Sequence, residues 1–381
     1  MIKNFDSFFW ELTSTDTDVD VIASNKVISA SVTEEMGAMD SCVINMLDPN
    51  CIYSRIFRNG SSFKFGWGDL INRRSPIEFL INSPSGSADA SGQITYNMRG
   101  QSMGDMVTNR KYYSEGTKGL IVRSTLLRMG IVDVEIDFSR MNEVVNNDSK
   151  IAQYESDFRF LARLADEWRC VFKIGTTRVG TTCAVFCEPF KLRTLQFVNK
   201  IVYSSTVLEY GGGLSNVIEY SWQDNSLDSA CGTNVQIRNI NGQMQFYRYI
   251  AESETVITYR LNEDAIRDEY NDQEDIQGKM TFIKEVLSAK NFAEVERFFI
   301  QDTVTTAPQG SGLTINVRIF GDPNVTAGQI ATFGVGFPDR IGAKDRVWYI
   351  KSVTHSMSMN GYFCDLEIQD AYAFSPIGEK L

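Results

Sequence analysis

The strongest constraint on the fold is that the chain writes one short pattern twice. A strand-like run, Cys42-Val43-Ile44-Asn45-Met46-Leu47, ends on Asp48-Pro49-Asn50 and is followed by Gly60-Ser61-Ser62-Phe63-Lys64-Phe65-Gly66-Trp67-Gly68. Late in the chain, a second run over 313–320 leads to Asp322-Pro323-Asn324 and then to Gly328-Gln329-Ile330-Ala331-Thr332-Phe333-Gly334-Val335-Gly336. Both read strand, Asp-Pro-Asn, Gly-x4-Phe-Gly-x-Gly, with nine residues between turn and glycine in the first copy and three in the second. Self-similarity of this kind is the trace of a repeated supersecondary unit. It predicts one chain that carries two versions of the same β unit.

The flanking sequence has the two-residue alternation of half-buried strands. In the first hundred residues these are Val19-Asp20-Val21-Ile22, Val27-Ile28-Ser29-Ala30-Ser31-Val32, Phe63-Lys64-Phe65-Gly66-Trp67, Ile77-Glu78-Phe79-Leu80-Ile81 and Ile94-Thr95-Tyr96-Asn97-Met98. Gly, Asn, Ser and Pro separate them, which predicts an antiparallel sandwich or barrel. Further strands are predicted at 170–174, 184–186 and 217–222, and over the last seventy residues at 313–320, 330–335, 347–353 and 362–368. Two helices interrupt this pattern. Thr117 is placed to cap a short one carrying Leu120, Ile121 and Leu127, with Gly130 to end it. Ser156 is a natural N-cap for the second, whose Phe158, Leu161, Leu164, Ala165 and Trp168 form one apolar stripe. Residues 252–302 read as acidic and helical, with Phe282-Ile283, Val286-Leu287, Val295 and Phe298-Phe299 at helix spacing.

Charge narrows the function classes. The net charge is −11, and residues 252–302, with thirteen acidic and six basic side chains, supply −7 of it. Such a surface repels phosphate, so a nucleic-acid reader is disfavoured, as is an anionic membrane surface. The acidic segment is a solvated face or, in a sharper reading, a wall past which polyanionic DNA slides without sticking. No apolar run approaches the roughly 20 residues that span a bilayer, so no stable membrane insertion is expected. The start, Met1-Ile2-Lys3-Asn4-Phe5-Asp6, lacks the apolar core of a signal peptide. The seven cysteines are scattered without a Cys-x-x-Cys. Cys183 and Cys187 share a strand-like run and would lie roughly 13 Å apart, too far for a disulfide or a shared metal. Buried free thiols are the expectation.

No constellation marks a reaction centre. Asp16, Asp18 and Asp20 resemble the opening of a calcium loop, but Val21 and Val27 stand where the loop needs Gly and Glu. Gly211-Gly212-Gly213 precedes a strand rather than a helix, Gly116-Thr117-Lys118 lacks the Walker spacing, and Gly334-x-Gly336 runs into Phe337-Pro338. His355 is the only histidine, so any Ser/His/Asp or Cys/His mechanism passes through it. It reads as a packed or turn-facing histidine at the end of a strand. The 48 acids leave a two-carboxylate glycosidase open, though no pair stands out. No residue is assigned as catalytic, cofactor-binding or metal-ligating, and no cofactor is expected.

Several motifs, in order along the chain, resemble one family. Tyr154-Glu155-Ser156-Asp157-Phe158-Arg159-Phe160-Leu161-Ala162-Arg163-Leu164-Ala165 resembles the Glu-Ser-Asp-x-x-Phe-Leu-x-x-Leu signature of baseplate hub proteins from contractile phage tails. That family includes the late control protein D group and the hub part of type VI secretion spike proteins. Gly100-Gln101-Ser102-Met103-Gly104-Asp105 is similar to its Gly-Gln-Ser-x-x-Asp segment. Val325-Thr326-Ala327-Gly328-Gln329, Val347-Trp348-Tyr349-Ile350-Lys351-Ser352-Val353-Thr354-His355 and Gly361-Tyr362-Phe363-Cys364-Asp365-Leu366-Glu367-Ile368 are similar to its closing stretches. The matches run from about residue 40 to 370. Two departures stand out. Arg169 occupies the place where such hub helices often end on Gly, and the chain ends at Leu381 with no appended barrel or β-helix, so the spike is expected to be a separate polypeptide.

The resemblance implies a β-rich α+β chain with two tube-protein-like antiparallel β-barrels plus smaller helix-containing domains. The expected division is a first barrel over 1–108, a helix-containing α+β domain over 109–190, and a second barrel region over 191–381 with an acidic helical insertion at about 252–302. It implies a structural late protein of the virion, without enzymatic activity. This would be a homotrimeric baseplate hub that joins the hexameric tail tube to a trimeric central spike around a channel. Its implied partners are the tail tube protein, the central spike protein, and the baseplate wedge and tape-measure proteins, with DNA only in transit. Its implied location is the tail baseplate, and the host cytoplasm during assembly. A hub from a phage-derived contractile injection or secretion particle is the alternative within the class. A tail-associated peptidoglycan hydrolase is the alternative from another class.

Overall fold

The computed structural model describes residues 9–15, 23–68, 72–102, 109, 111–138, 141–145, 151–168, 170–177, 180–195, 197–201, 206–211, 215–224, 233–238, 244–250, 255–259, 282–286, 313–338, 341 and 348–370. The predicted strand at 19–22, the Asp16/Asp18/Asp20 turn, Arg169 and Cys231 lie outside them. The chain divides into two compact units, residues 1–221 with 315–369, and residues 222–314 with 370–381.

In the first unit, the opening residues form β1 (Phe9–Ser14), β2 (Val27–Glu35), β3 (Ser41–Leu47), a one-turn helix α1 (Tyr53–Ile56), β4 (Ser62–Gly68), β5 (Ile77–Ile81), β6 (Ser85–Ala88) and β7 (Ile94–Ser102). Alternation decides which face is buried. In β3 Cys42, Ile44 and Met46 are buried while Val43 and Asn45 between them are not. Phe63, Phe65 and Trp67 of β4 and Phe79 of β5 fill the centre, the Phe63 and Phe79 rings stacking at 5.5 Å. Gly100 makes that stack possible, since a Cβ there would lie 2.8 Å from both side chains.

The middle of the unit is an α/β module. It contains β8 (Tyr112–Ser114), β9 (Gly116–Thr117), α2 (Lys118–Arg128), β10 (Asp133–Asp137), β11 (Val144–Val145), β12 (Ile151–Gln153), α3 (Asp157–Trp168), β13 (Val171–Thr176), β14 (Thr182–Cys187) and α4 (Phe197–Ile201). β14 lies between β10, which it pairs in parallel, and β13, which it pairs antiparallel. The Thr117 side chain caps α2 by accepting from the Leu120 N–H, and Gly130, at φ +81°, follows its end. Ile121, Val122 and Leu126 turn into the core, whereas Leu120 and Leu127 are exposed, so the inward stripe lies off the one expected from sequence. On α3 Phe158, Leu161, Leu164 and Ala165 are buried and Trp168 packs at the margin of the same core.

The second β region comprises β15 (Thr206–Leu208), β16 (Val217–Asp224), β21 (Leu313–Phe320), β22 (Ile330–Phe333), β23 (Trp348–Ser358) and β24 (Gly361–Asp370). Its strand order repeats the first. The first set runs β1-β4-β5-β7-β3-β2; the second runs β15-β22-β23-β24-β21-β16. In order of appearance, with β6 taken as a continuation of β5, both read first, fourth, fifth, sixth, third, second. The register repeats too. Ser62↔Leu80 and Phe63↔Phe79 in the first set answer to Ile330↔Tyr349 and Ala331↔Trp348 in the second. The glycines that open the repeated motif make the same bonds. Gly60 N–H donates to Ile81 C=O and Ile81 N–H to Ser61 C=O, both at 2.9 Å; Gly328 N–H donates to Ile350 C=O and Ile350 N–H to Gln329 C=O, both at 2.8 Å. Both glycines sit at positive φ, +84° and +88°, where a side chain is strained. One difference is that β1 pairs β4 antiparallel whereas β15 pairs β22 in parallel. The sets join as one thirteen-stranded sheet because β2 pairs with β23. Among the described residues, neither set closes into a barrel, so the architecture shown is β-rich with few helices.

The second unit contains a four-stranded sheet, β17 (Thr233–Arg238), β18 (Met244–Ile250), β19 (Thr255–Tyr259) and β20 (Phe282–Val286), in the order β19-β18-β17-β20. The helical reading of 252–302 is therefore corrected at 255–259 and 282–286. Thr255-Val256-Ile257-Thr258-Tyr259 is β-branched and aromatic, and an apolar run as short as Phe282 to Val286 fits either period. The remaining apolar pairs at helix spacing lie outside the described residues.

Candidate functional site

The seam where β2 meets β23 carries the densest buried polar chemistry in the first unit. The strands pair antiparallel from Ser29↔Ser358 to Glu35↔Ser352. Along β2 the inward positions read Ala30, Val32, Glu34, so a carboxylate arrives where the period demands an apolar residue. A buried charge needs partners, and Glu34 has them. Arg74 Nη2 donates to its two oxygens at 2.8 and 2.6 Å, and Thr326 Oγ1 donates at 2.5 Å. Nε2 of His355 faces the same carboxylate at 3.5 Å.

His355 is fully buried inside β23 rather than at a strand end, because the strand continues to Ser358. Its Nδ1 lies 2.8 Å from Tyr362 Oη and 3.2 Å from Cys364 Sγ, and Trp67 Nε1 donates to Tyr362 Oη at 3.2 Å. Trp67 comes from β4, so this chain of contacts ties the two β sets together. A second buried pair, Lys173 of β13 with Asp40, anchors the α/β module. Lys173 Nζ also donates to Glu35 C=O at 3.3 Å, and Gly37 N–H donates to Phe172 C=O at 2.6 Å. The turn between β2 and β3 is thus held by β13, and Met39 in that turn packs on the module's core.

The electrostatics follow from burial against partners. Burial alone would raise the Glu34 pKa, but Arg74, His355 and Lys173 hold it far below the usual carboxylate range. Burial outweighs Lys173 at Asp40, and with the repulsion of Glu34 it pushes that pKa up to about 6. For His355 burial works downward, and the Cys364 sulfur and Glu34 carboxylate overcome it and push the value up to about 9. The group is buried, and Glu34 ties Arg74, Thr326 and His355 together at the seam.

The Glu-Ser-Asp motif has three positioning roles. Glu155 accepts from Arg163 Nε at 2.8 Å, Ser156 Oγ caps α3 by accepting from Arg159 N–H at 3.3 Å, and Asp157 is buried against Arg128 at 2.7 Å and Gln153 at 2.7 Å. The free thiols Cys42, Cys170, Cys183, Cys187 and Cys364 are buried; Cys51, in the turn after Asp48, is exposed. Burial pushes the Cys183 thiol up to about 12. Among the described residues no group of His, Cys, Asp and Glu side chains converges as a metal site, and no helix is long and apolar enough to cross a membrane. Sequence reasoning named His355 but missed Glu34, Asp40, Arg74 and Lys173.

No family model and no curated protein matches the sequence. Solved structures match its fold over nearly the whole chain. A tail protein from Neisseria meningitidis is similar with a TM-score of 0.59 at 11% identity, over 97% of this chain and 98% of that one. A 43 kDa tail protein of prophage MuSo2 from Shewanella oneidensis is similar with a TM-score of 0.56 at 13% identity, over 96% and 99%. An Escherichia coli component of the type VI secretion system, described as structurally similar to bacteriophage T4 tail proteins, gives a TM-score of 0.52 at 11% identity, over 94% and 76%. The chain thus has the fold of phage tail proteins and of type VI secretion components.

Proposed function

We propose that the chain is a structural hub of a tail baseplate: a homotrimer that joins a hexameric tail tube to a trimeric central spike around a channel that DNA crosses. The observation that carries this reading is the repetition of one strand order, register and glycine geometry within a single chain. A tube made of rings of six and a spike made of three present a symmetry mismatch. Three chains with two similar β sets each offer six quasi-equivalent contact units while keeping threefold symmetry elsewhere. Each set is read here as a tube-protein-like barrel, with the α/β module between them. The tail-protein fold and the buried, clamp-like polar cluster support a non-enzymatic role in the virion. The wedge and tape-measure proteins would be further contacts.

The test is the mass of the purified chain in solution, by light scattering and native mass spectrometry, with and without its spike partner. A particle of three chains is expected. A monomer at micromolar concentration, with the spike present, contradicts the reading.

A further inference from the structure

Beside the turn between β2 and β3, a lysine and an aspartate are buried against each other. β13 buries four consecutive residues, Val171-Phe172-Lys173-Ile174, and Lys173 is 1% exposed. Lysine is almost never buried that far without a partner. Its Nζ donates to Asp40, itself 6% exposed, and to Glu35 C=O at 3.3 Å. Both backbones are fixed. Asp40 C=O accepts from Ser102 N–H at 2.8 Å, and Gly37 N–H donates to Phe172 C=O at 2.6 Å. Lys173 lies opposite Val185 in the β13–β14 ladder. The two side chains therefore meet across 133 residues of sequence with little freedom to part.

We propose that Asp40 and Lys173 condense to an amide, a covalent link that fastens the α/β module to the first β set. The ammonium passes one proton to the carboxylate, leaving an amine and a carboxylic acid in contact. The Nζ lone pair then attacks Cγ and opens its C=O bond to a tetrahedral intermediate. As the C=O bond re-forms the C–OH bond breaks, and the hydroxyl leaves with a second Nζ proton as water. Nothing is oxidised or reduced, and no co-reactant is consumed. Holding the two groups in contact makes the reaction unimolecular and removes much of its entropic cost. Burial penalises the ion pair, whereas the amide made from the same atoms is uncharged. Burial, over the pull of Lys173 and with the repulsion of Glu34, also pushes the Asp40 pKa up to about 6, so this carboxyl takes the proton more readily than an exposed one. The buried site then keeps water from the product, which protects it from hydrolysis.

The test is the mass of the full-length chain, purified folded and then denatured for mass spectrometry. A mass one water below that of the sequence is expected. Trypsin should then release one branched peptide, residues 27–55 joined to 170–178, with two amino termini and no cleavage after Lys173. Lys173→Arg keeps a cation but offers no amine, and Asp40→Ala offers no carboxyl, so both should show their full sequence masses. The wild-type result decides the matter whether or not either variant folds. A wild-type chain that is folded by circular dichroism, has the full sequence mass and is cut after Lys173 overturns the proposal. A loss of one water with the two peptides separate also overturns it, because that is the signature of a cyclic imide at an aspartate.

Discussion

The two β sets share a backbone frame and differ in what fills it. The first is continuous along the chain and packs aromatic rings, with Phe63, Phe65, Trp67 and Phe79 fully buried. The second is interrupted between β16 and β21 by the four strands of the other unit, and it buries the aliphatic Ile315, Val317 and Ile319 alongside Trp348, Tyr349 and Tyr362. Four further aromatics, Tyr210, Tyr220, Phe333 and Phe337, cluster ring to ring toward the surface. What survives in both is the turn at Asp-Pro-Asn, the positive-φ glycine and the fourth–fifth strand register. Hydrogen-bond geometry and glycine conformation therefore hold the repeat, and side-chain identity is free to drift as long as the alternation persists.

The largest effect is expected where the sets are locked to each other. Glu34→Ala leaves Arg74 and His355 buried beside an absent anion, and should cost about 3–5 kcal/mol in denaturant unfolding. Its contrast is Glu219→Ala on exposed β16, 3.7 Å from Arg318, which should change stability by less than about 0.5 kcal/mol. Equal costs at the two positions would remove the distinction between clamped seam and open edge.

Next comes pH. The His355 pKa is raised from 6.5 to about 9 in the folded chain, so its contribution is full below the unfolded value and is lost as pH rises through about 9. Unfolding free energy measured between pH 7 and 10 should fall by at most about 3 kcal/mol, and His355→Gln should flatten that limb. An alkaline limb of the same slope in the variant would assign the loss to other groups.

The paired glycines give a sharper comparison. Gly60→Ala meets open space and should cost about 1 kcal/mol for its positive φ alone. Gly328→Ala brings a Cβ to 3.2 Å from Met36 Sδ as well, and should cost about 1–2 kcal/mol. Thermal unfolding of the two variants side by side checks the order. The smallest effect is expected at Arg163→Ala, whose Glu155 and Glu167 partners are partly exposed, at under about 1 kcal/mol.

Local chemistry made much of the fold legible. The Asp-Pro-Asn and Phe-Gly-x-Gly echo, the Thr117 and Ser156 caps and the alternation of β3 are written within a few residues, and each forms as the sequence indicates. The seam is different. Glu34 and His355 are separated by hundreds of residues, and no local pattern announces that they meet. One signal was present: Glu34 continues the inward parity of Ala30 and Val32, and a carboxylate at that parity implies a buried partner. Arg74 and Lys173 carried no such mark, because each sits among strands and turns where a cation ordinarily faces solvent. The helical reading of 282–286 failed for a related reason, since a run that short fits both periods and only sheet pairing decides between them.

The central claim is that one chain supplies two equivalent β units to a single ring. A density map of the assembled particle, obtained by electron microscopy without imposed symmetry, tests it most directly. The account predicts six superposable β densities around the channel at the level of the hub, alternating between two kinds, with threefold density on the spike side. Three β densities, or six that do not superpose, would contradict it.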